Sequence, residues 1–266
     1  DDLGLHFDAS RPSRLEQLLQ HHAFDEPLRR RAAILRQALI QAGLTKYNVG
    51  QGDWRRPEGA RRVVLVPGQV ETDASIRWGC AQVRDNAALL AAARRAEPGA
   101  WLVYKPHPDV LAGLRRGERD RVVPGRDCDE VVTTAPMHRL LDQVDAVHVM
   151  TSLAGFEALL RGREVVTWGL PFYAGWGLTD DRAPPDSPAL RRRQRRLQLD
   201  ELVAAALILY PTYVSRRSGA FTTPERALRE LIEWRDTPTT RGERLQRLRR
   251  QLRLKLLGTL ARLLGR

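Results

Sequence analysis

Five short runs in this chain, "RVVLVP" at 62–67, "WLVYK" at 101–105, "EVV" at 130–132, "DAVHVM" at 145–150 and "EVVTW" at 164–168, are apolar almost without a break. A strand with one wet face alternates polar and apolar residues; a strand that does not alternate has to be covered on both sides. The covering material is at hand, because helical patterns at 82–96, 108–116, 137–143 and 152–161 lie between or after the runs. Strand, helix and strand in succession specify a parallel sheet sandwiched by helices, a Rossmann-like α/β architecture. In such sheets ligands gather beyond the carboxyl ends of the strands. The sequence therefore has to be searched where each apolar run stops.

The flanks are simpler. Residues 13–43 read as two helices, with Ser13 as an N-cap, and two more helices are predicted near 199–209 and 224–234. Thr223 caps the second of these and Pro224 occupies its first position. The resulting division is a helical lead-in at 1–60, a nucleotide-sugar-binding α/β domain at 61–180, closing helices at 181–237, and a basic amphipathic helix at 238–266. In that last segment Leu245, Leu248, Leu252, Leu256, Leu260 and Leu263 recur every three or four residues among arginines. This pattern suits a packed terminal helix or one lying on an anionic membrane surface.

Charge needs care. The chain carries 44 basic and 32 acidic residues, a net +12, but the excess is concentrated. Nine of the basic residues fall in 241–266 beside Glu243 alone, and five arginines crowd 191–196. No nucleic-acid motif accompanies them, and aromatics are not interleaved. Nucleic-acid partners are therefore not expected. Cys80 and Cys128 have neither zinc nor redox spacing and suit a reducing compartment. The longest apolar run, about nine residues at 202–210, is too short to span a bilayer, and no signal peptide is visible. The chain opens on "DDLGLHF" without methionine, and an upstream segment is expected.

Three run ends carry groups capable of chemistry. The first continues as "GQVETD", supplying Gln69, Glu71 and Asp73, with Asp73 the best candidate for a reacting carboxylate. The second continues as "KPHP", where Lys105 suits a phosphate, His107 can donate to a phosphate oxygen or protonate a leaving group as a catalytic residue, and Pro108 can start a helix. The fourth ends in Thr151 and Ser152, hydroxyls at a helix start and a ready anion site, or else plain caps. Glu157, further along that helix, can accept from a ribose diol or face solvent. All these ends open on one rim. The loop "WGLPFYAGWG" crowds Trp168, Phe172, Tyr173 and Trp176 with Gly169, Gly175 and Gly177, and Phe156 can join them. It either walls a sugar pocket or packs beneath the sheet edge. Asp180 and Asp181 read as solvated loop acids, and no metal site is expected.

Together, "GQVETDASI", "VYKPHPDV", "TSLAGFEALLRG", "VVTWGLPFYAGWGLTDD" and "LDELVAAALILYPTYV" resemble the capsule polysaccharide β-Kdo transferases of the KpsC/LipB type, as do "LGLHFDASRPSRLEQLL" and "AGLTKYNVG". The resemblance runs from about residue 3 to 235. It implies the donor-binding lobe of a GT-B glycosyltransferase, the acceptor lobe preceding Asp1. The implied reaction is retaining transfer of Kdo from CMP-β-Kdo to a lipid-linked Kdo acceptor in capsule linker synthesis. The stretch is more similar to the C-terminal module, associated with the β-2,7 linkage. Carried over, Asp73 is nucleophile or base, with Gln69 and Glu71 shaping its surroundings. Lys105, His107 and Pro108 attend the CMP phosphate with Thr151 and Ser152, and Glu157 takes the ribose. No cofactor is required. The implied location is cytoplasmic, peripheral at the inner membrane, with the export machinery as a further partner. The competing readings are a non-catalytic assembly or export module, a transferase using another CMP-sugar such as CMP-sialic acid, and a basic nucleic-acid-binding protein.

Overall fold

The computed structural model describes residues 1–47, 50–111 and 122–237. Its centre is a sheet of six strands: β1 (Val63–Pro67), β2 (Trp101–Lys105), β3 (Glu130–Val131), β4 (Ala146–Val149), β5 (Glu164–Thr167) and β6 (Asp180–Asp181). The spatial order is β3-β2-β1-β4-β5-β6 and every pairing is parallel. The chain winds outward from β1 in one direction, then returns to start β4 on its other side. That reversal leaves a crevice between the carboxyl ends of β1 and β4, the place where open α/β sheets bind ligands.

The helices in chain order are α1 (Arg14–His21), α2 (Glu26–Gln41), α3 (Ala74–Gly79), α4 (Asn86–Ala96), α5 (Pro108–Leu111), α6 (Met137–Leu141), α7 (Leu153–Leu160), α8 (Pro188–Arg192) and α9 (Leu199–Val203). After α9 the backbone widens into a π-helical stretch, Ala204–Leu209. Both faces of the sheet are dry, as unalternating strands require. Val63 and Leu65 of β1 enter a core with Leu19, Phe156, Leu159 and Leu202, while Val64 and Val66 enter another with Leu89, Leu90 and Ala93. Burying each of these side chains contributes about 1.5–3 kcal/mol before entropy is counted.

Three expectations need correction. The helix predicted at 82–96 begins only at Asn86, because Asp85 caps it, accepting from the Ala88 N–H at 2.7 Å. Ahead of it stands the unforeseen α3, whose N-cap is Asp73. Asp180 and Asp181 are not loop acids but an edge strand. Asp181 accepts from the hydroxyls of Thr167 (2.8 Å) and Thr179 (2.6 Å) and from the Gly175 N–H (2.8 Å). The helix expected at 108–116 is seen as α5, and its remainder lies outside the described residues, as does the amphipathic segment at 238–266.

The arginines at 191–196 are not a free basic patch either. Arg192 donates to Glu16 (2.6 Å), and Arg195 donates to the His22 carbonyl (2.6 Å). Arg193 is buried; its Nε donates to Glu16 at 3.0 Å and its Nη1 to the carbonyls of Pro171 (2.7 Å) and Ala174 (2.9 Å). One guanidinium thus ties α1 to the loop after β5. The described chain divides into two compact units, one ending at Thr212 and the other starting at Tyr213. The second contains the hairpin β7 (Tyr213–Val214) and β8 (Phe221–Thr222) and the helix α10 (Pro224–Asp236), capped by Thr223 as expected.

Removing one partner of a buried ion pair strands the other without compensation. Arg193→Ala is therefore expected to lower unfolding free energy by about 3–5 kcal/mol, read from urea midpoints. The double change Glu16→Met with Arg193→Met is expected to recover only part of that loss, because the Pro171 and Ala174 carbonyls stay without their donor. A single variant as stable as wild type contradicts this role.

Candidate functional site

The crevice opens into a cavity of about 940 Å³ bordered by the first compact unit. Its walls come from the ends of β1, β2 and β4, from α3 and α7, and from two stretches early in the chain. Gln69, Asp73, Lys105, His107, Pro108, Thr151, Ser152 and Glu157 all border it. Glu71 does not.

Gln69 is held on four sides. Its side-chain oxygen accepts from the Thr151 N–H at 2.9 Å, and its Nε2 donates to Thr151 Oγ1 at 3.0 Å. Its backbone N–H donates to Asn86 Oδ1 (2.9 Å) and its carbonyl accepts from Asn86 Nδ2 (3.0 Å). Glu71 Oε1 in turn accepts from both the backbone N–H (2.9 Å) and Nδ2 (3.1 Å) of Asn86. Ser75 Oγ lies 2.9 Å from Thr151 Oγ1. Gln69 and Thr151 therefore stitch the β1 loop to the β4 loop, and Glu71 ties the β1 loop to the start of α4; their polar groups serve the scaffold first.

Other groups are left to face the cavity. Asp73 starts α3, and its Oδ1 accepts from the Ser75 N–H at 2.8 Å, which fixes the carboxylate at the helix start. Lys105 is buried, and its ammonium donates to the Ala135 carbonyl at 2.7 Å. No carboxylate among the described residues lies within ion-pair distance of it. Burial holds this lysine below its ordinary value, so an anion in the cavity is favoured beside it. His107 Nδ1 accepts from the Asp109 N–H at 3.2 Å, so the neutral ring carries its proton on Nε2. Tyr47 meets the imidazole edge-on, with centroids 5.1 Å apart.

Ser152 caps α7, accepting from the Ala154 N–H at 3.2 Å. Its hydroxyl hydrogen has no protein acceptor among the described residues. Ser152, Leu153 and Ala154 all border the cavity, so the start of α7 faces it, and helix starts favour anions. The cap is braced from behind by Tyr173, whose hydroxyl donates to the Ser152 carbonyl. Only glycine fits at 155, since a Cβ there would meet the Tyr173 hydroxyl at 2.2 Å. The aromatic loop is thus split between its two readings. Tyr173 and Trp176 are fully buried core, and Phe172 reaches the cavity.

Glu157 is buried and accepts from the Lys46 N–H at 2.6 Å. Burial pushes its carboxyl up to about 7, against the pull of that hydrogen bond and of Arg161. His6, Phe7, Lys46, Tyr47 and Ser75 also border the cavity and were not singled out from sequence. The first four lie in "LHFD" and "LTKYN", loops whose polar content carries no periodic signal. Ser75 lies in α3, a helix the apolar pattern does not predict.

Residues 20–213 match the family model described as capsule polysaccharide biosynthesis protein. Over 232 residues the chain is 45% identical to the capsule polysaccharide modification protein LipA of Neisseria meningitidis, and over 235 residues 43% identical to the lipopolysaccharide-processing protein LpsZ of Rhizobium meliloti. Each alignment covers 87% of this chain, but the chain spans only 32% of LipA and 52% of LpsZ. Among solved structures, KpsC β-Kdo 2,7 transferase of Thermosulfurimonas dismutans superposes with a TM-score of 0.74 at 38% identity, covering 88% of this chain and 70% of that one. The β-Kdo 2,4 transferase of the same organism gives 0.76 at 34% identity, covering 86% and 71%.

A carboxyl that titrates higher folded than unfolded binds more protons in the folded state between those two values. Stability must then fall as pH rises through that window. For Glu157 the window runs from the usual carboxylate range up to about 7. Glu157→Gln keeps an acceptor for Lys46 and removes the titration. Wild type is expected to lose roughly 3 kcal/mol more than the variant between pH 4.5 and 8, measured by urea unfolding at each pH. Parallel pH profiles contradict the assignment.

Proposed function

The chain belongs to the capsule polysaccharide biosynthesis family, and from that membership and the cavity we propose that it is the donor-binding lobe of a GT-B glycosyltransferase. The donor is CMP-β-Kdo and the acceptor a lipid-linked Kdo chain, joined with retention in capsule linker synthesis. One observation carries this reading. A carboxylate, a buried ammonium, an imidazole and a helix start converge on one cavity large enough for a nucleotide sugar. The β-2,7 linkage is part of this proposal; identity of 38% to the 2,7 transferase against 34% to the 2,4 transferase leans toward it, while TM-scores of 0.74 and 0.76 do not separate the two.

In the proposed mechanism the phosphate of CMP lies at the start of α7. The Ser152 hydroxyl, the His107 ring and the Lys105 ammonium neutralise the charge that grows as the C–O bond to the sugar breaks. A monophosphate leaving group carries less charge than a diphosphate, and these groups can hold it without a metal. Glu157 accepts from the ribose. Asp73 attacks the anomeric carbon as CMP departs, giving a glycosyl ester. The acceptor hydroxyl then displaces the Asp73 carboxylate while its proton passes to the CMP phosphate still held at the start of α7, and two inversions amount to retention. Gln69, Thr151 and Glu71 position the loops that carry these groups.

Among the described residues no helix is long and apolar enough to cross a membrane. Attachment at the cytoplasmic face of the inner membrane is proposed to come from the basic segment at 238–266, acting on anionic lipid.

The test is a transfer assay on full-length protein with CMP-Kdo, beside CMP-sialic acid as rival donor. Asp73→Asn is expected to lower transfer by roughly a thousandfold or more while calorimetric CMP affinity stays within about threefold. Mass spectrometry of a slow acceptor reaction is expected to find the sugar on Asp73. Normal turnover by the variant removes Asp73 from the chemistry. Wild-type protein that binds CMP but transfers from neither donor supports the non-catalytic assembly reading.

A further inference from the structure

The helix α3 lies across the carboxyl ends of β1, β4 and β5. It starts at Asp73, touches Thr151 beyond β4 through Ser75, and accepts from the Leu170 N–H beyond β5 through the Gly79 carbonyl (2.8 Å). Ile76 and Gly79 face inward and are buried; a Cβ at Gly79 would come within 2.9 Å of the Thr151 methyl. The outer face is unusual. Trp78 is 47% exposed, and Arg77, also exposed, holds its guanidinium 5.0 Å from the centroid of the indole.

The turn of the helix says where that pair points. At about 100° per residue, Trp78 falls in the arc between Ala74 and Ser75, both of which border the cavity. Arg77 falls on the other side of Ala74. Reading around α3, the outward surface runs Arg77, Ala74, Trp78, Ser75. The indole therefore stands about one turn beyond Ala74, at the rim of the cavity and outside it. Tryptophan is usually mostly buried, and nothing in the packing of α3 calls for one in solvent here.

We propose that Arg77 and Trp78 form the acceptor platform of this site. The inference rests on the transferase reading, and it concerns the second substrate, for which that reading names no residue of this chain. With the donor inside the cavity, the acceptor hydroxyl reaches the anomeric carbon on the face that CMP vacates, and the rest of the acceptor chain extends out over the rim, which α3 borders through Asp73, Ala74 and Ser75. An acceptor built of acidic sugars offers apolar C–H faces and carboxylates. An indole face suits the first, and a guanidinium, able to make paired hydrogen bonds, suits the second. The stacked Arg77–Trp78 pair presents both chemistries together on one short helix.

Kinetics on full-length protein with a β-Kdo glycoside acceptor and its carboxyl-reduced analogue separate the two contributions. Trp78→Ala is expected to raise the KM of both acceptors roughly tenfold. Arg77→Ala is expected to raise the KM of the carboxylate acceptor by a similar factor and leave the reduced analogue unaffected. Calorimetric CMP affinity stays within about twofold of wild type in both variants. Unchanged acceptor KM in both variants overturns the platform, and so does CMP affinity that falls in step with KM. If wild type transfers from no donor, the transferase reading fails, and direct calorimetry of the β-Kdo glycoside decides the platform separately. Binding that Trp78→Ala abolishes upholds the surface as an acid-sugar site; no binding by wild type overturns it.

Discussion

The clasp between Gln69 and Thr151 is the contact on which the site depends. The two residues are 82 positions apart, yet each polar end of the glutamine side chain meets Thr151, at 2.9 and 3.0 Å. Strand pairing alone brings β1 and β4 side by side through Val64–Ala146 and Leu65–Val147. It does not decide how the loops beyond them are spaced. The amide does, and Asn86 fixes the amide's own backbone from the other side. Asp73 and Ser152 each lie a few residues from the clasp, so the separation of the proposed nucleophile from the proposed phosphate site is set by this network.

A second constraint acts from below. Arg193 holds the carbonyls of Pro171 and Ala174, and the loop between them delivers Phe172 to the cavity and Tyr173 to the Ser152 carbonyl. An ion pair with Glu16 keeps that guanidinium in place. Stability and site geometry share parts here: a buried charge that does not border the cavity braces the cap of the helix that does. This also revises the meaning of the net charge. Arginines that suggest an acidic partner when counted are partly consumed by carbonyls and carboxylates of the same chain.

What was legible in the sequence follows from what has local cause. Val63 to Val66 are apolar on both faces, and only a covered strand tolerates that, so the sheet and its parallel sense could be read directly. The residues at the strand ends were legible because that topology sends them all to one rim. β6 was not legible, since two aspartates carry no strand signal; their place is set by Thr167 and by pairing with β5. Gln69 and Thr151 were legible as site residues, the first beside Asp73 and the second at the phosphate, but their clasp was not, because a sequence does not show that a polar side chain already has a partner 82 residues away. Trp176 and Phe172 share one loop, and only packing tells the core ring from the cavity ring.

The account stands on the crevice between β1 and β4 being the nucleotide site. A crystal structure of the protein with CMP tests this most directly. The expected result places the phosphate at the start of α7, about 3 Å from the Ser152 hydroxyl and the His107 ring, with the ribose at Glu157. A nucleotide bound elsewhere on the molecule, with this cavity filled only by solvent, contradicts it.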